Sequence, residues 1–107
     1  GRISLNRMVE LLCTSPARLF GLYPRKGTIA PGSDADLVIF DPERTTTISA
    51  VSQHSKSDYN LYEGTEVTGD VDTVLIRGTV VVDRGELRVE PGFGRYVARA
   101  RFGEELA

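Results

Sequence analysis

The chain has 107 residues, 40% of them hydrophobic and 26% charged, which is enough for one domain with a hydrophobic core and too apolar for a disordered tail. A formal net charge of −2 leaves no electrostatic footprint for a nucleic acid or an anionic membrane, and neither is expected as a partner. One cysteine excludes an internal disulfide, no apolar run approaches the ~20 residues of a bilayer span, and the start Gly1-Arg2-Ile3-Ser4 has no signal-peptide hydrophobic region, so a reducing, cytoplasmic setting is expected.

Leu5, Met8, Val9, Leu11 and Leu12 form an apolar stripe at helical spacing behind Ser4, a hydroxyl placed to accept from an orphaned backbone N–H. This predicts a first helix over Leu5 to Cys13, with Cys13 filling core space as a small hydrophobe rather than serving as a nucleophile. Thr14-Ser15-Pro16-Ala17-Arg18-Leu19-Phe20-Gly21 reads as a second start. It has a hydroxyl at the cap, proline in the first turn and glycine past the end. A helix of about two turns is predicted there, hinged on the first and burying Leu19, Phe20 and Leu22.

From Lys26 onward glycines and prolines punctuate short runs of valine, isoleucine and threonine, which suit a pleated surface. Strands are predicted at Asp36 to Phe40, Thr45 to Ile48, Val71 to Arg77, Val80 to Asp83 and Leu87 to Val89. Gly78 and Gly85 stand where two-residue hairpins need a positive φ, so the last three strands should form an antiparallel meander. The fold class expected is α+β, mostly β, with helical residues at 1–24 and a β portion at 25–107.

Two irregular segments interrupt the β portion, a polar loop at 50–70 and a C-terminal arm at 91–107. The loop carries Tyr59, Asn60, Tyr62 and Glu63 and is too long for a hairpin and too aromatic for a passive linker. Alternation and helical character mix in the arm, which holds Arg95 and Tyr96. Tyrosine and arginine bury much area while keeping a polar handle, and these six residues are the candidate docking positions.

The sequence offers little for catalysis. A hydrolytic metal site needs clustered histidines, carboxylates or cysteines, and here His54 and Cys13 lie in different segments. His54 sits among serines and reads as a solvated imidazole. Asp34 and Asp36 alternate at a strand start; they could form an acid/base pair, but turn acceptors for backbone N–H groups are the stronger reading. Gly92-Phe93-Gly94 and Arg25-Lys26-Gly27-Thr28 lack the context of nucleotide-binding loops, and Arg95, Arg99 and Arg101 form a small basic cluster suited to solvent or an interface.

The runs Ser15-Pro16-Ala17-Arg18-Leu19-Phe20-Gly21-Leu22, Lys26-Gly27-Thr28-Ile29 and Gly32-Ser33-Asp34-Ala35-Asp36-Leu37-Val38-Ile39-Phe40-Asp41-Pro42 resemble the closing segment of the amidohydrolase superfamily. Asp58-Tyr59-Asn60-Leu61-Tyr62-Glu63-Gly64, Val74-Leu75-Ile76-Arg77-Gly78 and Gly92-Phe93-Gly94-Arg95-Tyr96-Val97 narrow the likeness to its dihydropyrimidinase and D-hydantoinase group.

The resemblance implies that the helices close a (β/α)₈ barrel and that the strands are the antiparallel part of a composite, urease-like β-sandwich completed by N-terminal strands. It implies a parent enzyme that opens cyclic amides with hydroxide held between two zinc ions bridged by a carboxylated lysine. The ligands of that group are a His-x-His pair, the lysine, two further histidines and an aspartate, and none has a matching position in this sequence. No catalytic, cofactor or metal role is therefore carried to any residue. The partners implied are the barrel, the N-terminal strands and further copies of the chain. A binding or scaffold module from a dihydropyrimidinase-like protein without activity is the alternative.

Overall fold

The computed structural model describes residues 2–105, so the first and last residues of the segments predicted at 1–24 and 91–107 lie outside the described residues. The fold is α+β and mostly β, with a helical segment followed by a four-stranded antiparallel sheet in the order β1-β2-β3-β4. The chain falls into two compact units, one formed by the residues up to Ala35 together with those from Pro91 on, the other by Asp36–Glu90.

In the first unit, helix α1 (Leu5–Val9) opens as its sequence predicts, with the Ser4 hydroxyl accepting from the Arg7 N–H at 3.2 Å. The predicted break at Thr14 is absent. Thr14 has helical angles and caps nothing, and the chain passes through a π-helical stretch, Glu10–Thr14, directly into α2 (Ser15–Leu19). Pro16 has no N–H to give the preceding turn. The widened turn absorbs that loss, since the Ser15 N–H reaches back five residues to the Glu10 carbonyl. The Thr14 hydroxyl is thereby freed to donate to the Gly27 carbonyl at 2.7 Å.

Gly21 ends α2 as predicted, at φ +65°, with the Leu22 N–H donating to the Ala17 carbonyl at 2.7 Å. The Ala100 N–H donates to the Gly21 carbonyl at 2.8 Å and ties the irregular C-terminal arm to this corner. The Tyr23–Pro24 peptide is cis.

Asp34 does not act as the expected acceptor for backbone N–H groups. Its carboxylate pairs with Lys26 at 2.7 Å and with Arg25 at 3.1 Å, because both cations precede the same turn. These pairs hold its carboxyl below the usual range, the Lys26 hydrogen bond contributing most.

In the second unit the two strands predicted around Asp41-Pro42 are one, β1 (Leu37–Thr47). Proline removes a ladder donor, and the register slips by two residues between Asp41↔Asp70 and Thr45↔Thr68 instead of the strand ending. The Asp41 carboxylate bridges the irregularity by accepting from the N–H groups of Glu43 at 2.9 Å and Arg44 at 3.2 Å. Strand β2 (Glu66–Ile76) begins five residues before the predicted Val71, pairing with the far end of β1.

Strands β3 (Thr79–Asp83) and β4 (Glu86–Leu87) complete the expected meander. Its turns are Arg77-Gly78 and Arg84-Gly85, with φ positive at all four residues. Asp36 does act as a backbone acceptor, taking the Arg77 N–H at 2.9 Å.

Fully buried apolar residues are few among the described residues, where a packed core was expected. Among the described residues the buried hydrophobics are Ala17 and Val81, at 5% exposure each. Leu19 and Phe20, predicted to be buried, are exposed, Leu22 is half-buried, and Cys13 is exposed. A helix stripe becomes a core only when another element lies against it. In β1 the consecutive residues Val38, Ile39 and Phe40 are all at least half exposed, and because side chains alternate along a strand this opens both faces of the sheet.

Candidate functional site

The structure places Tyr59, Asn60, Tyr62 and Glu63 in one excursion of the second unit, between β1 and β2. Its neck is closed by backbone bonds from the Ile48 N–H to the Thr65 carbonyl, 2.9 Å, and from the Gly64 N–H to the Ile48 carbonyl, 2.8 Å. The segment folds from its two ends. At the first, Ser49 caps a 3₁₀ turn, Ala50–Ser52, accepting from the Val51 N–H at 3.3 Å. At the second, the Asn60 side-chain oxygen accepts from the Tyr62 N–H at 2.8 Å and its carbonyl from the Glu63 N–H at 3.1 Å, a side-chain turn that asparagine favours.

Glu63 joins the two ends. One carboxylate oxygen accepts from the Ser49 hydroxyl and the other from the Ala50 N–H, each at 2.7 Å. These bonds hold its carboxyl below the usual range, with the Ser49 hydroxyl contributing most. Tyr59 and Tyr62 stand outward at 71% and 66% exposure, and Leu61 is more open still at 86%.

Sequence reasoning missed Ser49, Ala50 and Leu61. Ser49 was signalled by its place before a turn-forming Ala50-Val51-Ser52, but a partner 14 residues away leaves no periodicity to read. Arg95 and Tyr96 belong to the first unit and are exposed, Tyr96 at 91%.

Two other polar groupings are present. Arg44 lies among three carboxylates, at 2.5 Å from Asp72, 3.6 Å from Asp70 and 3.7 Å from Asp41. In the first unit a shallow recess is lined by Ser15, Arg18, Leu19, Tyr23, Phe102 and Glu104, and the Arg18 guanidinium sits 4.5 Å from the centre of the Tyr23 ring. His54 is exposed in the loop. Among the described residues no three or more His, Cys, Asp or Glu side chains are grouped so that they could hold a metal ion. No helix among them is long and apolar enough to cross a membrane.

The chain is similar in sequence and in structure to known proteins. The model of the amidohydrolase family matches residues 1–81. The D-hydantoinase of Geobacillus stearothermophilus is 51% identical over 107 residues, which is 100% of this chain and 23% of that protein. The L-hydantoinase of Paenarthrobacter aurescens is 47% identical over 102 residues, 95% of this chain and 22% of that protein. The crystal structure of dihydropyrimidinase from Brevibacillus agri superposes with a TM-score of 0.92 at 50% identity, covering 97% of this chain and 23% of that one. The chain thus spans less than a quarter of the length of the proteins it matches.

Proposed function

Because the chain belongs to the amidohydrolase family, we propose that it is a non-catalytic, C-terminal portion of a hydrolase that opens cyclic amides of the hydantoin and dihydropyrimidine kind. The observation that carries this reading is the mismatch between likeness and burial. The chain is about half identical along its whole length to a D-hydantoinase four times its size, yet it leaves Leu12, Leu19, Phe20, Val38, Ile39 and Phe40 open to solvent. Apolar surface on that scale marks a place where other protein lies.

In this reading the helical segment packs on the barrel of the parent protein. The sheet lies against N-terminal strands to make the composite sandwich, and the edge strand β1, whose outer backbone groups have no partner in the sheet order, pairs with one of them. The loop carrying Tyr59 and Tyr62 and the arm carrying Arg95 and Tyr96 are the surfaces for contact between copies.

A zinc pair bridged by a carboxylated lysine belongs to the rest of such a protein. The residues described here do not fit it: His54 lies in an exposed loop, Cys13 belongs to the other unit, and no ligand group surrounds either.

A chimera tests the proposal. The matching segment of the Geobacillus D-hydantoinase would be replaced by this chain and hydantoin opening compared with the parent enzyme. Activity within about tenfold of the parent is expected, since a structural element acts only by positioning the site. A folded chimera of native assembly that is inactive would overturn the reading. So would hydantoin opening by the purified 107-residue chain alone.

A further inference from the structure

We propose that Glu63 is the latch of an Ω-loop, holding residues 49–64 as one preorganised body so that Tyr59, Leu61 and Tyr62 stand on a fixed support. The segment has the length and the closed neck that define such loops. The neck alone does not order it. The backbone bonds of Ile48 fasten the chain where the loop begins and ends, and the two turns beyond them, at Ala50–Ser52 and at Asn60–Glu63, are each held by bonds within the turn.

Glu63 supplies a different kind of connection. Its two oxygens take donors from the opposite limb, 14 and 13 residues away in sequence. Ser49 is at once the donor to Glu63 and the cap of the 3₁₀ turn, so the carboxylate holds the residue on which the first limb is built. Bonds to an ionised acceptor are about twice as strong as neutral ones, and both are made at 2.7 Å.

The consequence concerns recognition. Capture of side chains carried on a floppy loop costs backbone entropy as well as side-chain entropy, whereas a closed loop has already lost the backbone part. Glu63 is therefore a positioning residue, acting through Ser49 and Ala50 on the loop that carries the tyrosines.

Hydrogen exchange and limited proteolysis of the 107-residue chain read the latch directly, comparing the wild type with Glu63→Ala, Glu63→Gln and Ser49→Ala. The Ala50 amide of Glu63→Ala should exchange about tenfold faster, and cleavage between Val51 and Tyr62 should accelerate similarly, while the amides of Val74 and Val82 keep their protection. Glu63→Gln, which keeps one carbonyl acceptor, and Ser49→Ala, which loses one donor, should fall between. Unchanged exchange and cleavage in the loop of Glu63→Ala would overturn the proposal. Equal acceleration of loop and sheet amides in Glu63→Ala and Ser49→Ala would overturn it as well, since Glu63 would then serve global stability rather than the loop.

Discussion

The ring of Phe40 lies over Gly69 so closely that a β-carbon built there would come within 2.5 Å of the ring's Cζ. Gly69 has φ +107° and sits where the β1–β2 register slips. The bare α-carbon gives the aromatic ring a seat, and the ring covers backbone that would otherwise meet water.

Gly69→Ala should therefore cost more than an alanine at a glycine with open surroundings. Gly78 provides the control, with φ +78° and nothing within 4 Å of its would-be β-carbon. Gly78→Ala should lose about 1–2 kcal/mol from backbone strain alone. Gly69→Ala should lose a further ~1–3 kcal/mol as Phe40 is pushed aside. Urea denaturation of both variants measures the difference, and equal losses would show that the ring yields without cost.

Acid sensitivity follows from the carboxylates. Asp72 is held below its usual range chiefly by the Arg44 hydrogen bond and next by the Thr73 hydroxyl. Asp34 is lowered by Lys26 and Arg25, and Glu63 by Ser49 and Ala50. A carboxyl depressed in the folded state contributes stability above its unfolded pKa, about 3.9 for Asp and 4.3 for Glu, and that contribution is lost as pH falls through the folded value. Unfolding should become easier from about pH 4 downward. In Arg44→Met the Asp72 carboxyl should titrate higher than in the wild type, observable by carboxyl NMR. An unmoved Asp72 titration would mean that Thr73 and the surrounding charges suffice.

Thr14 offers a prediction about the first unit. Its hydroxyl donates to the Gly27 carbonyl at 2.7 Å in a half-buried setting, so Thr14→Val, nearly the same shape without the donor, should cost about 1 kcal/mol. Thr14→Ser should keep most of that stability. A thermal melt in which valine and serine behave alike would remove the hydroxyl from the account.

Thr14 also shows where the sequence could and could not be read. A hydroxyl before Ser15-Pro16 looks like a helix cap, and the alternative, a π turn that carries the helix past the proline, leaves no mark in composition. Asp41-Pro42 misleads in the same way, because a strand can cross a proline when a register slip absorbs the missing donor. The features that were legible are local. Ser4 caps α1, Gly21 ends α2, and Gly78 and Gly85 set the hairpins, each through a backbone angle or a bond spanning a few residues.

Burial was not legible, since Phe20 and the Val38-Ile39-Phe40 run announce an apolar surface without saying which chain segment covers it. At the candidate site the tyrosines and Glu63 stood out by type. The Glu63–Ser49 bond did not, because it joins positions 14 residues apart.

Arg84 occupies the first position of a two-residue hairpin at φ +48°, where residues other than glycine, asparagine and aspartate carry backbone strain. Its guanidinium compensates in part by an exposed pair with Asp83 at 3.3 Å, a contact of the kind that contributes at most about 1 kcal/mol. Asp83 retains a second cation, Arg88, at 3.0 Å, so losing Arg84 does not strand its carboxylate. Arg84→Asn creates the Asn-Gly pair that this turn type prefers and should raise stability by about 0.5–1 kcal/mol. The gain should appear as a higher urea midpoint at unchanged slope. A lower midpoint would mean that the Arg84–Asp83 ion pair outweighs the strain of the left-handed backbone.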